Sequence, residues 1–150
     1  MSKRTLYHHF TGKDELVAAY LAGFADDPSY PPQAILARSD LAPRARLLEL
    51  FAALIDDRQP LRGDPFVNAA IETGDPGARA HRVAAAHKRR FTERLADLAR
   101  AAGARDPESV ARRLALLYDG AAAQVVVQDS PEPAAEAQAM AAAVLREALD

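Results

Sequence analysis

The 150-residue sequence contains no cysteine. The chain therefore cannot form a disulfide, bind zinc through thiolates or use a thiol as a nucleophile. Long apolar runs are also missing, because no stretch approaches the roughly 18 apolar residues of a membrane-spanning helix. No signal peptide is visible at the N-terminus. From these absences we expect a cytoplasmic protein without disulfides.

Residues that favour β-strands are scarce. Valine and isoleucine together number 11, whereas alanine accounts for 35 of the 150 residues. Alanine is the best helix former, and β-branched residues are enriched in strands. Apolar residues make up 49% of the chain, which is close to the globular average and argues against disorder. The composition predicts an all-α protein with closely packed helices.

Acidic charge is missing from the first 13 residues. They carry Lys3, Arg4 and Lys13, a net charge of +3, while the whole chain carries −2 and the remainder therefore −5. A basic end on an acidic chain is typical of a protein that meets phosphate at one end. Three cations within 13 residues also occur by chance, so the charge distribution alone does not decide between these readings.

Prolines and glycines divide the chain into segments of helical periodicity. The predicted helices cover about 2–10, 13–25, 43–58, 65–73, 76–102, 107–128 and 131–149. Four prolines, at positions 28, 31, 32 and 43, predict a connector over 26–42 with a helical turn around 33–38. We therefore predict an all-α bundle of about seven helices, with a small N-terminal part over 1–25 and a larger body over 43–150.

The first predicted helix carries side chains suited to DNA. Leu6 and Phe10 lie four residues apart and need a core, while the other positions are basic, polar or aromatic. Arginine and lysine read guanine edges, and threonine can place its methyl group against thymine. Tyrosine and histidine can contact phosphates. Thr11 and Asp14 form a candidate capping box for the next helix.

The segment SKRTLYHHFTGKDEL, residues 2–16, resembles the recognition helix and the following helix of TetR-type bacterial transcriptional regulators. The resemblance is carried by Thr-Leu-Tyr-x-His-Phe followed by Lys-(Asp/Glu)-x-Leu. In that family the second helix of the helix-turn-helix enters the major groove. The resemblance implies base contacts from Lys3, Arg4 and Thr5. It implies backbone contacts from Tyr7, His8, His9 and Lys13.

Family members have two further helices before this segment, and these supply the surface on which Leu6 and Phe10 would pack. Residues 1–25 therefore resemble a partial helix-turn-helix, with a recognition helix over about 2–10 and a connecting helix over about 13–25. A helix of about nine residues is marginal alone, so we expect the first ten residues to be frayed or repacked. We also expect this chain to bind operator DNA weakly or not at all. A misassigned start codon and a real truncation both stay open.

The body resembles a ligand-binding and dimerisation domain of the same family. The resemblance rests on the segment 62–72, on His87-Lys88 followed by Phe91, and on 117–121. It implies a pocket for a small molecule inside the helical body. It also implies that the ligand moves the DNA-reading parts through the connecting helix. We expect no cofactor.

Candidate ligand-binding residues are the aromatic and polar groups on apolar helix faces. They are Phe51, Phe66, Asn68, His87, Phe91, Tyr118 and Gln124. For the three phenylalanines a plain core role is the favoured interpretation. Asn68 and His87 can equally be buried polar groups with hydrogen-bond partners. The apolar character of the set predicts a hydrophobic or aromatic effector.

The last two helices are the candidate dimer interface. The final helix is rich in alanine, which permits close helix approach but is also inexpensive to expose, so the alanines alone leave the interface open. Family members are twofold dimers joined by a four-helix bundle, which matches a palindromic operator. The resemblance implies a homodimer of the same kind.

Catalytic and metal-binding patterns are not recognisable in the sequence. No nucleophile–base arrangement or glycine-rich phosphate loop is present, and His8 and His9 would point about 100° apart on a helix. We therefore expect neither an enzyme nor a metal site. The predicted function is a ligand-responsive transcriptional repressor that binds operator DNA as a homodimer. The alternative is a ligand-binding and dimerisation module without DNA-binding activity.

Overall fold

The computed structural model describes residues 10–55 and 63–149, and all regular structure in these ranges is helical. The elements are α1 (Lys13–Asp26), α2 (Pro31–Ala37), α3 (Pro43–Ala52), a 3-10 helix (Ala53–Ile55), α4 (Pro65–Thr73), α5 (Arg79–Ala101), α6 (Pro107–Gln128) and α7 (Glu132–Leu149). The predicted all-α fold is confirmed. Within the described ranges no helix combines the length and apolar character needed to cross a bilayer.

The helix boundaries depart from the prediction in three places. The predicted connector contains a complete helix, α2, because Pro31 occupies the first helical position, where a missing N–H costs little. The helix predicted over 43–58 changes to 3-10 geometry after Ala52. α5 begins at Arg79 and not at 76, because Asp75 closes a turn by accepting a 2.8 Å hydrogen bond from the Gly77 amide. Of the helix predicted over 2–10, only Phe10 belongs to the described residues.

Short polar signals fix the ends of the central helices. At the start of α4, Oδ1 of Asp64 accepts hydrogen bonds from the amides of Phe66 at 2.8 Å and Val67 at 3.0 Å. Gly74 ends α4 in the left-handed region, with φ of 65°, which glycine adopts without steric cost. Asp106 caps α6 by accepting a 3.0 Å hydrogen bond from the amide of Ser109.

The larger hydrophobic core, here called the body cluster, joins α3, the second half of α5, α6 and α7. Its fully buried members include Leu47, Phe51, Leu95, Leu114 and Leu145. Small side chains complete the contact, since one face of α7 buries Ala134, Ala137 and Ala141. These alanines let α7 lie close to its neighbours.

A smaller core, here called the N-terminal cluster, lies between α1, α4 and the first half of α5. Its buried members are Ala18, Leu21, Phe66, Ala69, Ala80 and Ala84. α5 therefore belongs to both cores, with its first half in the N-terminal cluster and its second half in the body cluster. This shared helix connects α1 to the rest of the bundle.

Candidate functional site

A cavity of about 790 Å³ lies where α1, α2, α4 and α6 meet. α1 contributes Lys13, Asp14, Val17, Tyr20, Leu21 and Phe24 to its wall. The rest of the wall consists of residues in and before α2, of the 3-10 helix, of residues 63–73 around α4, and of Tyr118 and Ala122 from α6. A mostly apolar wall and a volume of several hundred Å³ are typical of small-molecule sites.

Two of the seven predicted ligand-binding residues reach this cavity. Asn68 and Tyr118 lie in its wall. The other five do not: Phe51, Phe66, His87 and Phe91 are buried in the two cores, and Gln124 is exposed and bonded to Gln128 at 2.8 Å. A direct ligand contact is therefore geometrically available to Asn68 and Tyr118, whereas the four buried rings lie behind the wall.

The sequence reasoning missed the aromatic residues that α1 and the following turn bring to the cavity. Phe24 lies edge-on to Tyr20 at 4.9 Å and to Tyr30 at 5.5 Å between ring centroids. Tyr20 and Phe24 lie four residues apart on α1, a spacing that predicts one shared, core-facing side of the helix. Tyr20 is nevertheless 59% exposed, so this side is wider than the core that it covers.

A stacked ring pair supports the wall from behind. The rings of Phe66 and His87 are nearly parallel, at 4°, with centroids 3.5 Å apart, and Tyr30 meets both rings edge-on. Burial lowers the pKa of His87 to about 4, opposed by the charge of Asp64 and reinforced by Lys88. The imidazole is therefore neutral at pH 7, and it acts as a flat packing surface.

A partly buried ionic cluster joins α4, α5 and α6 beside the cavity. Nζ of Lys88 lies 3.2 Å from Oδ2 of Asp64 and 2.5 Å from Oδ1 of Asp119. Burial raises the pKa of Asp119, and the Lys88 charge opposes this effect. Lys88 also lies 4.7 Å from the centroid of the Phe91 ring, within cation–π range. Of the three charged groups only Asp64 lines the cavity.

Two phenol groups line the cavity close to this ionic cluster. Tyr118 is 7% exposed, and Tyr30 is half-buried. Burial raises the pKa of both phenols, and the negative charge of Asp64 raises it further, so both hydroxyls are protonated at neutral pH. Within residues 10–55 and 63–149, neither hydroxyl has a protein hydrogen-bond partner, and neither oxygen is fully enclosed, so both face the open space of the cavity.

α1 is attached to α5 by a long-range helix cap. α5 starts after Ala78, which has no side chain that could cap it. Instead, Asp14 of α1 accepts hydrogen bonds from the amides of Arg79 and Ala80, each at 2.8 Å. These two hydrogen bonds lower the pKa of Asp14. Because Asp14 also lines the cavity, one side chain contacts both the candidate site and the start of the longest helix.

The predicted capping box between Thr11 and Asp14 is wrong. The amide and hydroxyl of Thr11 donate to Glu15 instead, at 2.7 and 2.6 Å, and Gly12 occupies the N-cap position of α1. The carboxylate of Asp14 is used by α5, which a local sequence pattern cannot reveal.

The predicted DNA-binding residues fall mostly outside the described ranges. Six of the seven lie outside residues 10–55 and 63–149, and their role stays a prediction: Lys3, Arg4, Thr5, Tyr7, His8 and His9. Lys13 is described: it is the exposed first residue of α1 and borders the cavity.

The last two helices present an exposed apolar surface, here called the α6–α7 face. On α6 it consists of Leu116, Gly120, Ala123 and Val127, spaced so that they lie along one side of the helix. Leu116 is 75% and Val127 80% exposed. On α7 it consists of Ala135, Ala139, Met140 and Ala143. These residues lie opposite the alanines that α7 buries in the body cluster.

Comparisons with known proteins identify structures similar to this chain. A scan against protein-family models gave no match, and a search of curated proteins gave none either. Among solved structures, a TetR-family transcriptional regulator from Streptomyces coelicolor matches 100% of this chain and 80% of its own, with 31% identity and a TM-score of 0.86. A putative TetR-type regulator from Streptomyces avermitilis matches 87% of this chain and 72% of its own, with 31% identity and a TM-score of 0.72.

The first match combines full coverage of this chain with an identity that indicates common ancestry. Its helical arrangement agrees with the all-α fold described above, and its family agrees with the motif at residues 2–16. The chain belongs to the TetR family of transcriptional regulators.

Proposed function

We propose that this regulator is a ligand-responsive repressor and that the cavity beside α1 binds its effector. One observation carries the proposal: the helix that follows the predicted DNA-reading segment forms a wall of the cavity. A molecule entering the cavity contacts Val17, Tyr20 and Phe24 directly. Because the wall is mostly apolar and aromatic, the effector is a hydrophobic or aromatic molecule.

The packing of α1 explains how an effector can move it. α1 fully buries only Ala18 and Leu21, and it is also attached to α5 by the solvent-exposed Asp14 cap. A ligand that binds better to a shifted α1 stabilises that shift by the difference in its affinity for the two positions. The body cluster buries far more apolar surface, so it stays in place while α1 moves. The movement of α1 is passed to the DNA-reading segment.

A thermal-shift screen against hydrophobic and aromatic small molecules tests the effector site. A true effector raises the melting temperature, because it binds the folded state and not the unfolded one. Two variants that fill the cavity, Ala122→Phe and Ala53→Phe, abolish the shift. Ala101→Phe adds the same ring at an exposed site on α5 and keeps it. A compound whose shift survives in both cavity-filling variants binds elsewhere, and such a result across the panel contradicts the proposal.

The α6–α7 face supports a homodimer. A twofold dimer needs one self-complementary surface, and a face of small and apolar side chains permits close helix packing. Val127→Arg places a charge in this face on both subunits and shifts sedimentation from dimer to monomer. Ile71→Arg is the matched control, because Ile71 is 73% exposed but lies on α4. Equal behaviour of the two variants contradicts this interface.

Operator binding by Lys3, Arg4, Thr5 and the neighbouring backbone contacts completes the proposal, at the weak affinity that the sequence analysis predicts for this chain. The assay selects bound sequences from a random DNA pool and then measures affinity by gel shift. Arg4→Ala weakens binding most on the selected sequence, whereas Lys13→Ala weakens binding to all sequences alike. If no sequence is enriched while effector binding and dimerisation are intact, the result favours a ligand-binding and dimerisation module without DNA-binding activity.

A further inference from the structure

We infer that the effector is an uncharged, largely apolar molecule with one hydrogen-bond acceptor, and that the phenol of Tyr118, with Tyr30 beside it, donates to that acceptor. The inference rests on the proposed function, because it assigns the chemistry of the effector to the same cavity. It follows from three observations: an unpartnered phenol, a satisfied ionic cluster and a mostly apolar wall.

The first observation is the unpartnered phenol of Tyr118. Buried polar groups are almost always hydrogen-bonded, because leaving one unpaired costs free energy. Tyr118 is 7% exposed as a residue and lines the cavity, its hydroxyl has no protein partner among the described residues, and its oxygen is not fully enclosed, so the hydroxyl faces the cavity. Its ring is held between Phe51, at 6.1 Å, and Phe91, at 5.4 Å between centroids. A fixed donor without an acceptor is the feature that a ligand group can complete.

The second observation is that the charges beside the phenols are already matched. Oδ1 of Asp64 accepts from the start of α4, and Oδ2 accepts from Lys88. Lys88 is shared with Asp119. In the cavity wall a ligand carboxylate would be repelled by the carboxylate of Asp64, and a ligand ammonium would find the Asp64 oxygens already bonded. The other charged residues of the wall are exposed to solvent: Lys13, Asp14 and Glu72. Either ion would also lose its hydration on entering an apolar cavity. These costs select an uncharged ligand.

The direction of the hydrogen bond follows from the state of the phenols. Burial and the nearby Asp64 charge raise the pKa of Tyr118 and of Tyr30, so both keep their protons. A protonated phenol is a better donor than acceptor, because its oxygen lone pair is delocalised into the ring. The matching ligand group is therefore a carbonyl, an ether or a similar neutral acceptor.

The third observation is the remaining wall. Phe24, Leu21, Ile35 and Leu54 surround the cavity with apolar groups. None of these four side chains needs a hydrogen-bond partner, so the rest of the ligand is apolar.

Four probes with one naphthalene skeleton test the inference: 2-acetylnaphthalene, 2-ethylnaphthalene, 2-naphthoate and 2-(aminomethyl)naphthalene. Their dissociation constants are measured by calorimetry at pH 7. The ketone binds roughly 3- to 10-fold more tightly than the ethyl compound, which corresponds to one net hydrogen bond. The carboxylate and the amine bind more weakly than both. A carboxylate or amine that binds most tightly overturns the inference.

Tyr118→Phe removes only the hydroxyl and keeps the ring that contacts Phe51 and Phe91. In this variant the ketone loses its advantage over the ethyl compound, while the affinity for the ethyl compound is unchanged. Tyr30→Phe reduces the advantage less. Ser109→Ala is the control, because Ser109 lies on the same helix as Tyr118 but outside the cavity wall, and it leaves the ratio unchanged. A ratio that survives in Tyr118→Phe overturns the assignment, and thermal melts establish that each variant is folded.

The same experiment separates this inference from the proposed function. If 2-ethylnaphthalene binds and Ala122→Phe blocks it, the cavity is a hydrophobic site, and a missing ketone preference overturns only the inference. If none of the four probes binds, or if Ala122→Phe blocks none of them, the cavity is not the effector site and both proposals fail.

Discussion

The two hydrophobic cores of this regulator differ in size and in what they hold. The body cluster joins α3, α5, α6 and α7 through many large buried side chains, among them Phe51, Leu95 and Leu114. The N-terminal cluster holds α1 with two buried residues of its own, Ala18 and Leu21. Free energy of burial is roughly proportional to the apolar area removed from water. The body cluster therefore sets global stability, and the N-terminal cluster sets the position of α1.

The cavity lies on the side of the weaker core. Leu21 belongs to the N-terminal cluster and also lines the cavity, so the contacts that hold α1 and the contacts available to a ligand share one side chain. Segments with few buried contacts are the ones that open or shift at low cost. The proposed effector site and the proposed movement of α1 therefore lie in the same part of the molecule.

The largest expected effect is in the body cluster. Leu114→Ala removes a side chain that is 1% exposed and packed on all sides, so it lowers the free energy of unfolding by about 3–5 kcal/mol. Urea denaturation followed by far-ultraviolet circular dichroism measures this change. A loss of stability no larger than that of Leu21→Ala would contradict the claim that the body cluster is the stronger core.

Leu21→Ala is the matched change in the N-terminal cluster. Leu21 is also 1% exposed, but it borders an existing cavity, so fewer contacts are lost. We expect a loss of about 2–3 kcal/mol, at the lower end of the range for buried leucines. The variant also increases hydrogen exchange in α1 while α7 keeps its protection. Equal exchange in both helices would show that α1 is not the separately movable part.

The stacked His87 gives the N-terminal region a pH dependence. Its pKa is about 4 in the folded protein and about 6.5 when unfolded. Between these values the unfolded chain binds a proton that the folded chain does not, so stability is lost as the pH falls from about 6.5 to 4. The loss at pH 4.5 relative to pH 7 is on the order of 2 kcal/mol.

His87→Phe keeps a flat ring on Phe66 and removes the titrating group. The free energy of unfolding is measured against pH for both proteins, and the difference between the two curves is the contribution of His87. Asp119 contributes to both curves, and because its pKa is raised, its contribution to stability increases as the pH falls. Two parallel profiles would contradict the neutral, buried state of the imidazole.

The smallest effect is expected at the Asp14 cap, which is exposed to solvent. Asp14→Asn weakens both hydrogen bonds to the start of α5, and the amides of Arg79 and Ala80 exchange faster in NMR spectra. Global stability falls less than in any of the core variants. Asp27→Asn is the control, because the carboxylate of Asp27 accepts local hydrogen bonds from Ser29, two residues away. Unchanged exchange at Ala80 in Asp14→Asn would refute the cap.

The sequence predicted the helices well because their signals are local. Asp64-Pro65 and Asp106-Pro107 start α4 and α6 as their capping chemistry requires, and Gly74 ends α4. The start of α5 was misplaced because its cap, Asp14, comes from a residue 65 positions away in the chain. No pattern within a helix contains that information.

The candidate site was predicted only in part for a similar reason. Aromatic residues on apolar faces were good candidates for burial, and Phe51, Phe66 and Phe91 are buried in the two cores. Which rings face an empty space depends on how α1 and α2 pack against α4 and α6. Tyr30 lines the cavity but lies in the proline-rich connector, so the sequence did not predict it as a ligand-binding residue.

The account depends on one claim, that a ligand in the cavity acts on α1. Hydrogen exchange read by mass spectrometry, with and without saturating 2-acetylnaphthalene, tests it most directly. We expect protection in 13–35 and in α4, which form the cavity wall, and unchanged exchange in α7. Protection confined to α7, or no change in α1 while calorimetry shows binding, would contradict the account.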